Sequence, residues 1–83
     1  MTSLYDLLGA RADDDEQAIK KAFRKAVRAN HPDLHPDDPD AVLRFRRIIT
    51  ASAILRDPKQ RAAYDELLEL ERQRIKLQLD KQL

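Results

Sequence analysis

The sequence predicts an all-α domain of four helices: a short first helix, two longer helices paired antiparallel across a loop, and a fourth helix extended at its C-terminal end. Three observations carry this. Turn-formers are scarce, with one Gly and four Pro in 83 residues, while Ala, Leu, Arg, Lys, Glu and Gln, the residues that lose least on entering a helix, are abundant. The prolines fall at boundaries between helical stretches rather than inside them. Between those boundaries apolar residues recur at spacings of three and four, the repeat of a helix with one face turned inward.

Ser3 is placed to cap the first helix, with Asp6 at its third position near the positive end of the dipole, and Gly9 can take the left-handed conformation that ends it. The helix is expected over about residues 4 to 8, and its Leu4, Tyr5, Leu7 and Leu8 are too apolar for so short an element unless it packs on something larger. Asp13 and Glu16 read as a capping box opening a second helix over about 14 to 29, with Ile19, Ala22, Phe23 and Ala26 facing inward. Pro32 disfavours helical geometry at His31, so this helix is expected to stop by Asn30.

Residues 30 to 38 hold two prolines and several turn-formers and read as the one true loop. Asp38-Pro39 then reads as an N-cap with proline at the first helical position, opening a third helix over about 39 to 56 whose inner stripe is Val42, Phe45, Ile48, Ile49, Ser52 and Leu55. Asp57-Pro58 repeats the device and starts the fourth helix, which meets no breaker before the end. Its leucines after about residue 70 keep helical spacing poorly, so the helix is expected to reach the seventies and its last ten residues to fray. The domain is therefore expected over 1–70, with 71–83 a helical extension that leads into further chain.

A chain this short supports one thin core and leaves few apolar side chains to line a substrate pocket. The absence of Cys excludes disulfides, thiol catalysis and cysteine-based zinc sites, and fits a reducing compartment. With no basic leader and no run of the roughly 18 to 20 apolar residues a membrane span needs, a cytoplasmic protein is expected. The net charge of +1 conceals segregation. Lys20, Lys21, Arg24, Lys25 and Arg28 form an acid-free block, flanked by Asp13 to Glu16 on one side and by Asp33, Asp37, Asp38 and Asp40 on the other.

Four kinds of chemistry can be weighed against these residues. His31 beside Asp33 suggests a general base, but the two flank a proline on an exposed loop with no nucleophile, no third orienting group and no concave site, so no catalytic residue is assigned. His31 and His35 have the four-residue spacing of a helical metal pair, but Pro32 and Pro36 forbid the helix, and neither metal nor cofactor is expected. The basic block makes a charged face on the second helix, which is either simply solvated or a docking surface for an acidic partner. Duplex DNA is the alternative partner from a different class, opposed by the four aspartates at one end of the block.

In order along the chain stand Leu4-Tyr5-Asp6-Leu7-Leu8-Gly9, Ala18-Ile19-Lys20-Lys21-Ala22-Phe23-Arg24-Lys25, the tripeptide His31-Pro32-Asp33, Arg44-Phe45-Arg46 with Ile48 and Ala51, and Lys59-Gln60-Arg61-Ala62-Ala63-Tyr64-Asp65. The tripeptide alone is a weak signal, whereas five segments in order are a strong one. Together they resemble the J-domain of the DnaJ co-chaperone family from Leu4 to about Leu68. The resemblance implies a non-catalytic module that binds a DnaK-type ATPase chaperone and stimulates its ATP hydrolysis, with clients bound by regions outside the domain. Carried over by position, Lys20, Phe23, Arg24 and Lys25 form the docking face, His31, Pro32 and Asp33 the trigger, and Phe45 and Arg46 sit beside that contact. Three positions depart from the pattern: Leu34 where Lys or Arg is usual, Ala26 where a larger aliphatic is, and Ser52 where an aromatic is common. A J-like assembly domain without stimulation is the alternative these departures leave.

Overall fold

A computed structural model describes residues 2–82; the outermost residues of the expected 1–70 and 71–83 segments, Met1 and Leu83, lie outside the described residues. Four helices appear in the expected order: α1 Leu4–Leu8, α2 Glu16–Asn30, α3 Ala41–Arg56 and α4 Pro58–Gln82. α1 is closed at both ends by local chemistry. Ser3 Oγ accepts from Asp6 N–H at 3.1 Å while Asp6 Oδ2 accepts from Ser3 N–H at 3.0 Å, and Gly9 at φ +68° turns the chain out of the helix.

α2 begins two residues later than expected. Its cap is Asp15, whose Oδ1 accepts from Ala18 N–H at 2.8 Å, and not Asp13. Three consecutive aspartates can all cap, and the choice is made by a preceding turn in which Arg11 N–H donates to Asp14 Oδ2 at 2.9 Å and Asp13 pairs with the Arg11 guanidinium at 3.2 Å. α2 then ends at Asn30, because His31 is held extended at ψ 131° ahead of Pro32.

α3 also opens two residues late. Pro39 lies in a turn rather than at the first helical position, and Asp40 occupies the cap position without a side-chain bond. Asp38 stabilises that turn instead, accepting from Asp40 N–H at 2.9 Å and from Arg44 Nη1 at 2.8 Å. The inner stripe is Ala41, Ile48, Ala51, Ser52 and Leu55, with Phe45 half-buried. Val42 and Ile49, expected inside, are 49% and 41% exposed. Each is one position past a buried residue, about 100° further round the helix, and the small residues Ala41, Ala51 and Ser52 take the buried positions instead.

α2 and α3 run in opposite directions and pack along each other, with α1 and the first half of α4 against α3. The core is Tyr5, Leu8, Ile19, Ala26, Ile48, Ala51 and Leu55, flanked by Leu4, Leu7, Ala22, Phe23, Val27, Tyr64 and Leu68. Tyr5 fixes α1 to α4: its hydroxyl donates to Asp65 Oδ1 and accepts from Arg61 Nε at 3.1 Å. Arg61 also donates to the carbonyls of Ala12 and Asp14, so one side chain ties α4 to the α1–α2 turn. Tyr64 accepts from Leu4 N–H at 2.9 Å. Asp57 ends α3 and starts α4, its carboxylate accepting from Lys59 N–H at 3.0 Å and from Gln60 Nε2 at 3.0 Å. α4 is helix through Gln82, its last ten described residues included, although every residue after Leu68 is exposed.

Candidate functional site

The α2–α3 connection is less of a free loop than its composition suggests. Pro32–Leu34 forms a 3₁₀ turn, closed by Leu34 N–H to the His31 carbonyl at 2.9 Å and His35 N–H to the Pro32 carbonyl at 3.0 Å. The His31 ring serves this turn twice. Its Nδ1 accepts from Asp33 N–H at 3.2 Å, and it packs in an edge-to-face arrangement with the Phe45 ring of α3, with centroids 5.5 Å apart and planes at 69°. His35 Nε2 lies 2.9 Å from the Ala29 carbonyl near the end of α2. The two histidines thus hold different parts of the turn, and among the described residues no group of three His, Cys, Asp or Glu is arranged to hold a metal ion.

This scaffolding leaves the Asp33 side chain open to solvent. It is 90% exposed, and the one basic group near it among the described residues is His31 Nδ1 at 3.6 Å. Leu34 beside it is 64% exposed. A carboxylate held on a short closed turn, with no lysine or arginine of its own, is poised to pair with a cation on another molecule.

Along α2 the basic residues occupy the arc opposite Ile19 and Ala26. Lys20, Arg24 and Arg28 make one row, and Lys21 and Lys25 an adjacent one. Lys20 lies 4.0 Å from Glu16; among the described residues the other four make no ion pair. Arg24 sits about 9 Å, and Lys20 about 15 Å, along the helix axis from its end at Asn30.

Seven of the nine candidate residues fall into two groups. His31, Pro32, Asp33 and Phe45 form one unit at the tip, and Arg24 and Lys25 are exposed on α2 with Lys20 half-buried at the edge of the same basic face. Phe23 belongs to neither: it is half-buried at the edge of the core, with the Arg56 guanidinium 5.7 Å above its ring. Arg46 is exposed on α3 one residue past Phe45. The Asp38–Arg44 pair and the His35–Ala29 contact, which brace the tip from either side, are not signalled by sequence spacing. The Asp38 carboxyl lies below the usual carboxylate range, first because it accepts from Asp40 N–H and then because Arg44 donates to it.

No helix among the described residues is long and apolar enough to cross a membrane. Known proteins share the pattern. The family described as "DnaJ domain" matches residues 3–65. A "Chaperone protein DnaJ" of Halothermothrix orenii is 48% identical over 62 residues, covering 75% of this chain and 16% of that protein. "Protein CAJ1" of Saccharomyces cerevisiae is 43% identical over 65 residues, covering 78% and 17%, and a "Chaperone protein DnaJ" of Salinibacter ruber is 44% identical over 62, covering 75% and 16%. The chain spans about a sixth of the length of these relatives. With the helical order, the tip and the matched segment in agreement, the chain belongs to the DnaJ-domain family of co-chaperone modules.

Proposed function

We propose that this domain binds a DnaK-type ATPase chaperone and stimulates its ATP hydrolysis, so coupling that chaperone to client proteins held by regions outside the domain. The observation that carries the proposal is Asp33, an exposed carboxylate on a braced turn at the end of a basic helix. The face of Lys20, Arg24 and Lys25 supplies fast, salt-sensitive encounter with an acidic surface and sets its orientation. Asp33 then pairs with a cation of the chaperone, and Pro32 limits the freedom the turn loses on docking. Phe45 takes part by holding His31. Arg46 adds positive charge on the α3 side, and Phe23 acts through its packing at the edge of the core.

The groups that cleave ATP belong to the chaperone, and this domain favours the partner's hydrolysis-competent state. The docking unit is residues 1–70, with 71–83 an extension, and the encounter takes place in the cytoplasm. The test is single-turnover hydrolysis by a DnaK-type chaperone with and without the chain. Asp33→Asn and His31→Gln each abolish the acceleration at unchanged helicity; full acceleration by both variants contradicts the proposal. If the basic face instead serves nucleic acid, duplex binding with a steep salt slope survives Asp33→Asn and weakens with Lys20→Ala or Arg24→Ala.

A further inference from the structure

α4 outlasts the domain it belongs to. It is 25 residues long, yet it packs on the core only as far as Leu68, and every residue from Glu69 to Gln82 is exposed. The family match ends at residue 65, before this arm begins. On the arm Leu68, Arg72, Ile75 and Leu79 follow one another at spacings of four, three and four and so share one face. Ile75 and Leu79 are 50% and 57% exposed. A groove between α4 and the N-terminal segment, lined by Thr2, Ser3, Tyr64, Leu68 and Ile75 and flanked by the charged Glu71 and Arg72, opens onto that face.

The charges of the arm are ordered by sign. Asp65, Glu66, Glu69 and Glu71 come first, then Arg72, Arg74, Lys76 and Lys81, interrupted by Asp80 alone. A second copy laid parallel sets like charges against each other, whereas an antiparallel copy sets acid against base at both ends. With Leu68 opposite the partner's Leu79, Arg72 falls opposite the partner's Ile75, and the same pairs recur in reverse, as a two-fold interface requires. In that register Glu69 lies on the flank near the partner's Lys76.

We propose that the α4 arm is a self-association surface, through which two copies of this chain pair antiparallel with the partner's Leu79 seated at the mouth of the groove beside Leu68. The overlap from residue 68 to 79 is about 18 Å of helix, a contact smaller than the roughly 1,200 Å² at which standard interfaces begin. The dimer is accordingly weak, and it weakens further with salt.

Sedimentation equilibrium of the full chain over a concentration series tests this. The average mass rises from monomer towards dimer with concentration and falls back at high salt. Ile75→Asp abolishes the rise, as does Glu69→Lys or Lys76→Glu alone, while Glu69→Lys combined with Lys76→Glu restores it at unchanged helicity. Oxidising a mixture of Leu68→Cys and Leu79→Cys chains yields the mixed disulfide in preference to either symmetric one. A chain monomeric at every concentration, association that persists in Ile75→Asp, a double charge variant that stays monomeric, or preferential symmetric disulfides overturns the proposal.

Discussion

The His31 and Phe45 rings pack in a T-shaped pair, 5.5 Å between centroids, while His31 Nδ1 accepts the Asp33 N–H. One imidazole therefore connects α3 to the backbone of the residue whose carboxylate faces outward. Removing the phenyl ring frees the turn without touching Asp33. Phe45→Ala is predicted to cut stimulation of the chaperone several-fold while lowering stability by only about 1–2 kcal/mol, since Phe45 is half-buried and aromatic pairs of this kind contribute about 0.5–1.5 kcal/mol beyond area. Amide relaxation of residues 32–34 checks the cause: their order falls in Phe45→Ala and stays unchanged if the ring does not brace the turn.

Tyr5 is predicted to set the alkaline limit of stability. Burial, and next its bond to Asp65, raise its hydroxyl above the ordinary value near 10, against the opposing pull of Arg61. The fold thus favours the neutral phenol. Its contribution is complete below pH about 10 and is lost as pH rises through the folded value. Tyr5→Phe leaves Arg61 and Asp65 each short of a partner and costs about 1–2 kcal/mol at neutral pH. Its thermal midpoint then falls less steeply than the parent's on the alkaline side.

Acid acts on three other sites. Asp6, held down first by Ser3 N–H and then by the Ser3 hydroxyl, Asp38, held down first by Asp40 N–H and then by Arg44, and Asp57, held down first by the Gln60 side chain and then by Lys59 N–H, all lie below their usual range. For a lowered carboxyl the stabilisation is present above the unfolded value near 3.9 and is lost as pH falls through the folded one. The thermal midpoint is predicted to hold steady from neutral pH down to about 4 and to drop below it. Asp57→Asn flattens that acid limb; a limb as steep as the parent's contradicts the assignment.

Ser52 is buried at 2% exposure, and its hydroxyl has no hydrogen-bond partner among the described residues. A buried polar group without a partner is destabilising, and Ala is also the better helix former. Ser52→Ala is predicted to stabilise the domain by about 1 kcal/mol, read as a higher urea midpoint at unchanged m-value. A lower midpoint shows instead that the hydroxyl is satisfied.

What local chemistry decides was legible in the sequence. Ser3, Asp6 and Gly9 bound α1, Pro32 stops α2, and Asp57 starts α4, because each acts within three residues of itself. The start of α2 was obscured where three aspartates compete and Arg11 selects among them. The α3 stripe is hidden at Val42 and Ile49 because large aliphatics signal burial more strongly than the small Ala41 and Ala51, which occupy the buried positions. At the tip the tripeptide was legible, but His31 against Phe45 and Arg61 on the Ala12 and Asp14 carbonyls depend on packing between distant segments, which no spacing encodes.

The most direct measurement is single-turnover ATP hydrolysis by a DnaK-type chaperone with the parent chain and with Asp33→Asn, both verified as folded. The exposed Asp33 carboxylate predicts acceleration by the parent and none by the variant, at low and at physiological salt. Equal acceleration by the two chains contradicts the role given to Asp33, and acceleration by neither contradicts the stimulating function itself.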